Sequence, residues 1–145
     1  MGTLTVAQRS ERMARIKSKN TQPELRVRKL AHAMGYRFRL HRHDLPGSPD
    51  LTFPSRGKVI FVHGCFWHAH ANCKTANRPK SRRAYWDTKF KRNRDRDAAD
   101  RRALSRLGWQ SLVIWECETK KVPLLERRLA GFLGPPQGLL LSEGG

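Results

Sequence analysis

The sequence predicts a mixed α/β domain, a central sheet covered by helices. Helical and strand-like periodicities follow one another as helix, strands, helix, strand, helix. No repeat or linker divides the 145 residues. That length suits a single hydrophobic core.

The elements are justified in chain order. Residues 1–20 form a polar, basic arm in which Met13 and Ile16 are the large apolar side chains of the stretch 7–19. Thr21-Gln-Pro-Glu24 is a capping box, so a helix follows with Val27, Leu30, Ala31 and Met34 on one face and Gly35 at its end. Capping alone would explain Glu24. Tyr36-Arg-Phe-Arg-Leu40 alternates as a strand does. Leu45-Pro-Gly-Ser-Pro-Asp50 is a rigid loop leading into a strand at Leu51-Thr-Phe53. Pro54-Ser-Arg-Gly57 is a turn, and Val59-Ile-Phe-Val62 suits a central strand. These segments predict a three-stranded hairpin sheet.

A basic loop is expected over 74–83, then a long helix over 84–107 ended by Gly108. Leu112-Val-Ile114 is a buried strand that returns Cys117 to the sheet. Val122 to Leu133 is an amphipathic helix. The domain therefore spans 21–133, and 134–145 is a flexible tail rich in Gly, Pro and Leu.

Thirty Lys and Arg against twelve Asp and Glu leave a net charge of +18. Such an excess favours a polyanionic partner, and its interleaving with Trp and Phe favours nucleic acid. No apolar run is long enough to span a bilayer, and no signal core opens the chain, so a cytoplasmic protein is expected. Three cysteines do not make a disulfide framework, and reduced thiolates in the cytosol are available to metal.

Two cysteines, three histidines and three large aromatics crowd Phe61-Val-His-Gly-Cys-Phe-Trp-His-Ala-His-Ala-Asn-Cys73. Cys65, His70 and Cys73 have the spacing of a zinc knuckle, and Cys117 can complete a closed, structural Cys₃His site. His68 could replace His70 in that set. Asp50 at the start of one strand and His63 and His68 at its hairpin partner can converge at one end of the sheet. A carboxylate that holds a divalent metal, beside an imidazole that takes a proton from water, suits phosphodiester hydrolysis. Asp97 is in register with Phe90 and Leu104 and so faces the sheet, although Arg94 and Arg101 lie near the same side. Asp95 and Asp100 read as ordinary charge pairs. Phe66 and Trp67, on a loop stiffened by metal, can wedge into a base stack, and Trp86 opens the Arg-rich helix.

The run His63-Gly-Cys-Phe-Trp-His68, with Pro46-Gly-Ser-Pro-Asp50 before it and Trp115-Glu-Cys117 after it, resembles the very short patch repair (Vsr) DNA mismatch endonucleases. The likeness extends over roughly residues 8 to 133. It implies a restriction-endonuclease-like fold with a structural zinc site. It also implies a Mg²⁺-dependent nick beside the thymine of a T:G mismatch, the product of deaminated 5-methylcytosine. By that resemblance Asp50 binds Mg²⁺ with the backbone carbonyl of Val62, which stands where a family member has threonine. His68 is the general base, His63 its companion, Asp97 a further carboxylate that with His63 holds waters on the metal, and Glu24 an acidic residue near the site. Cys65, His70, Cys73 and Cys117 bind zinc; Phe66, Trp67 and Trp86 intercalate, and Met13 is an N-terminal wedge. Phe61-Val-His63 replaces the Glu-x-Lys common in restriction-type nucleases, as it does across that family. The expected partners are mismatched double-stranded DNA and mismatch-repair proteins, and the expected state is a monomer. The alternatives are a zinc-stabilised DNA-binding module without catalysis and, more remotely, an RNA nuclease.

Overall fold

A computed structural model describes residues 21–66, 68, 70, 73 and 81–136. Met13, Trp67 and most of the basic loop lie outside the described residues. Helix α1 (Gln22–Ala33) starts where Thr21 accepts a hydrogen bond from the Glu24 N–H. It ends in a Schellman turn: Tyr36 N–H bonds Ala31 C=O, Gly35 N–H bonds His32 C=O, and Gly35 takes φ +98°. Because Tyr36 serves that turn, the expected strand over 36–40 shrinks to β1 (Arg39–Leu40).

Strand β2 (Leu51–Phe53) pairs antiparallel with both β1 and β3 (Lys58–His63). The long helix α2 (Arg83–Arg106) follows, then β4 (Gln110–Trp115), which runs parallel to β3 from Lys58↔Gln110 to His63↔Trp115. Helix α3 (Val122–Leu133) is the last element. The sheet order is β1-β2-β3-β4, mixed as expected.

Strand alternation divides the core between the two faces of this sheet. Leu51, Phe53, Ile60 and Ile114 pack against Val27 and Ala31 of α1 and Leu125, Leu129 and Leu133 of α3. Val59 and Phe61 point the other way, to Leu45 and to Leu104 of α2. The side chain of His63 shares this second face, while Val62 packs on the first. Among the described residues no helix is long and apolar enough to cross a membrane.

The end of α3 is clasped by three side chains from other elements. Arg56 donates to the carbonyls of Leu133 and Pro135, at 2.7 and 2.9 Å, and Lys58 donates to that of Phe132 at 2.5 Å. The Tyr36 hydroxyl donates to the Gly134 carbonyl. Two cations thus meet the negative end of a helix dipole and its orphan carbonyls. Gly134 and Pro135, which open the expected tail, supply two of these acceptors, and Pro136 lies against Gly35.

Candidate active site and metal centre

The Cys/His cluster comes from the loop after β3 and the turn after β4. The parallel register places His63 beside Trp115, so the residues just beyond, Cys65 and Cys117, are neighbours. Cys117 N–H donates to Cys65 Sγ at 3.4 Å, and the Glu116 carboxylate accepts from Cys65 N–H at 3.2 Å. His70 Nδ1 stands 3.7 Å from Cys65 Sγ and 3.6 Å from Cys117 Sγ, and Cys73 Sγ joins the same group. A tetrahedral site with Zn–S near 2.3 Å and Zn–N near 2.0 Å requires S···N edges of about 3.5 Å. The donor set and its spacing therefore fit such an ion. Burial pushes the Cys65 thiol up to about 12 and raises that of Cys117 as well. Metal entry would release those protons. The His70 ring also stacks on Trp115 at 4.0 Å and 7° between planes, which fixes its orientation.

His68 turns away from this cluster. Its Nδ1 lies 2.6 Å from Asp97 Oδ2, which fixes Nδ1–H as donor and leaves Nε2 as the proton acceptor. Its ring stacks on His63 at 3.7 Å and 4°. His63 Nδ1 is 4.0 Å from the same carboxylate oxygen. Burial, reinforced by His68, lowers the His63 pKa to about 3 against the opposing pull of Asp97, so this ring is neutral at ordinary pH. Asp97 faces the sheet between the buried Phe90 and Leu104, as its spacing predicted. A cavity of about 250 Å³ opens over the two rings, bounded by Arg94, Asp97, Arg101 and Trp115.

Asp50 belongs to a different cluster. The sequence suggested that Asp50, His63 and His68 meet at one point; instead the donor atoms form two groups. Asp50 stands with Glu24 and His41, and His63 and His68 stand with Asp97. The reason is the pleat: adjacent positions on β3 serve opposite faces. The two groups meet at the backbone, because Asp50 Oδ2 accepts the Val62 N–H at 2.7 Å, one residue before His63. A strand residue's N–H and C=O project to the same edge, so the Val62 carbonyl also faces the Asp50 side. Burial raises the Asp50 carboxyl to about 7, reinforced by the neighbouring Glu24 and opposed by the Val62 N–H. Glu24 contributes its N–H to the helix cap, but its carboxylate, 2% exposed, binds His41 Nε2 at 2.9 Å and Arg28 at 3.2 Å. A carboxylate pair with a backbone carbonyl at its edge offers hard oxygen donors that fit Mg²⁺.

Phe66 packs edge-on against Trp86 and Phe90, each at 5.5 Å, and Trp86 stacks on Phe90 at 5.8 Å. Only Phe90 of the three is buried, so the other two rings stay half open to solvent.

A family model described as DNA mismatch endonuclease Vsr matches residues 1–75. A type II nicking enzyme of Xanthomonas oryzae pv. oryzae is 53% identical over 85% of this chain and 90% of its own length. The DNA mismatch endonuclease Vsr of Escherichia coli is 40% identical over 77% of this chain and 70% of its own. A type II nicking enzyme of Neisseria meningitidis is 37% identical over 86% and 89%.

The chain belongs to the Vsr family.

It is accordingly an endonuclease of DNA, and Vsr membership brings the restriction-endonuclease-like fold to the observed mixed sheet. Against that background, sequence reasoning missed His41. It follows a two-residue strand with φ +50°, a backbone state that gives no periodic signal. Trp115 was noted only as part of a motif, yet it touches His63, His68 and His70. Asp100 packs where a side chain at Gly47 would be, 3.0 Å from its Cβ position, and Arg96 one turn earlier on the helix attracts its carboxylate.

Proposed function

We propose that this Vsr-family enzyme nicks one DNA strand beside the thymine of a T:G mismatch, with Mg²⁺ as the catalytic ion and Zn²⁺ as a structural one. The observation that carries the reading is the His68–Asp97 contact at 2.6 Å, with the His68 ring stacked on His63, whose strand neighbour Val62 donates its N–H to the Asp50 carboxylate. A proton acceptor held by a carboxylate next to a hard-cation site is the minimum equipment for phosphodiester hydrolysis.

Asp50 and the Val62 carbonyl would hold Mg²⁺, with Glu24 adding charge from behind. When bound, the ion offsets phosphate charge and acidifies a water. Asp97 orients the His68 ring, and Nε2 accepts the proton of the attacking water. The resulting imidazolium is stabilised by the Asp97 carboxylate. His63, neutral and stacked beneath His68, blocks the alternative ring orientation and can hydrogen-bond water at the site. Cys65, His70, Cys73 and Cys117 would bind Zn²⁺ and hold the His68 loop against β4. Phe66 and Trp86, with Trp67 and Met13, would enter the base stack where a mismatch makes unstacking cheap. The enzyme would work in the cytoplasm as a monomer on duplex DNA, beside mismatch-repair proteins.

The test is a nicking assay on T:G and T:A duplexes of otherwise identical sequence, with and without Mg²⁺. Strand-specific cleavage confined to T:G with Mg²⁺ is expected. Equal cleavage of both duplexes would remove the mismatch specificity. Binding without any cleavage would favour a zinc-stabilised DNA-binding module.

A further inference from the structure

The catalytic reading leaves two cations at its own cavity without a role. Arg94 and Arg101 lie on α2 three residues before and four after Asp97, so all three share a helix face. Both arginines line the cavity over His63 and His68, and among the described residues no lysine does. The usual fate of such arginines is an ion pair with the carboxylate between them. Here Asp97 is already engaged by His68, and among the described residues neither arginine has a carboxylate within ion-pair distance. Among the described residues Arg101 makes only a long 3.4 Å hydrogen bond, from Nε to the Ser111 hydroxyl. Seven residues of helix separate their Cα atoms by about 10 Å, a gap that two arginine side chains can close from opposite sides.

We propose that Arg94 and Arg101 form a clamp for one backbone phosphate of the DNA, seated at the mouth of the His63–His68–Asp97 cavity. The inference rests on the nuclease reading of that cavity and adds the group that holds its substrate. Guanidinium is the side chain best matched to a phosphodiester, because its planar fork presents paired donors to two oxygens. Two of them against one carboxylate that His68 already occupies leave the cavity positive, which suits an anion and repels a second cation. The clamp would position the phosphate; it would not transfer protons.

The experiment pairs an enzyme variant with a modified substrate. Zinc-loaded wild type and R94A/R101A are titrated without Mg²⁺ against a T:G duplex from 50 to 300 mM salt. They are then titrated against a set of duplexes carrying one uncharged methylphosphonate at successive positions around the mismatch. Both residues are exposed on a helix, where alanine preserves helicity. Unchanged far-UV dichroism and zinc content check the fold. Loss of one phosphate contact lowers the slope of log affinity against log salt by about 0.9. Affinity at low salt should fall on the order of tenfold per arginine. One methylphosphonate position should weaken the wild type and leave the double variant unaffected. An unchanged slope with no such position would overturn the clamp. If wild type nicks no mismatch with Mg²⁺, the functional proposal fails while the binding data still decide the clamp.

Discussion

Replacing Asp50 by asparagine should make the Mg²⁺-free protein more stable while destroying its activity. Asp50 is pushed from 3.8 to about 7 by burial and by Glu24. An acid whose folded pKa is raised binds its proton more tightly in the native state. Its contribution is therefore fully present below pH 3.8 and is lost as pH rises through about 7. Above pH 7 the native state holds a carboxylate that it solvates poorly. At about 1.4 kcal/mol per pH unit, that shift corresponds to a cost on the order of 4 kcal/mol. Asparagine has no charge to desolvate and keeps an oxygen that can accept the Val62 N–H. For a domain of this size 1 kcal/mol moves Tm by roughly 3 °C, so D50N should melt roughly 10 °C higher at pH 8. The gain should shrink steadily toward pH 4. Melting curves are recorded on zinc-loaded protein at pH 4, 6 and 8, then repeated with 10 mM Mg²⁺. The ion should raise the Tm of wild type at pH 8 and leave D50N unmoved. A D50N protein that melts at or below the wild-type temperature at pH 8 would refute the reasoning, because Asp50 would then carry no native-state penalty for a cation to relieve.

His68→Ala should abolish nicking yet preserve duplex binding; retained single-turnover cleavage would remove His68 from proton transfer. Asp97→Asn should slow cleavage by 10²- to 10⁴-fold, the usual contribution of general-base catalysis, with little change in affinity. Cys117→Ser should lower both thermal stability and the zinc-to-protein ratio, and an unaltered ratio by elemental analysis would count against the ligand set. Gly47→Ala should destabilise by about 2 kcal/mol or more in urea, since Gly47 has φ +77° and its new Cβ would lie 3.0 Å from both Asp100 and Phe61.

Much of the fold is legible because its signals are local. Gly35 and the Thr21 cap bound α1, and the apolar spacing of α2 places Asp97 toward the sheet without any knowledge of His68. The Cys/His cluster is legible for a similar reason, since Cys65 and Cys73 are close in sequence and the strand before Cys117 points it home. What escapes is set by the pleat and by long-range pairing. A reader of the sequence sees Val62 and His63 as neighbours; the strand sends one to each face and so splits the titratable groups into two clusters. His41 reaches Glu24 only because β1 pairs with β2, and a two-residue strand leaves no alternation to find. The open role of Arg94 and Arg101 depends on Asp97 being already occupied, which is a tertiary fact.

The clasp on α3 has a practical corollary for shortening the molecule. Its acceptors are the carbonyls of Phe132, Leu133, Gly134 and Pro135, so the cooperative unit extends to Pro136 even though the last helix stops three residues earlier. A truncation placed at the helix terminus would remove the acceptor of the Tyr36 hydroxyl and one of the two acceptors of Arg56. One placed just after Pro136 would keep every bond of the clasp.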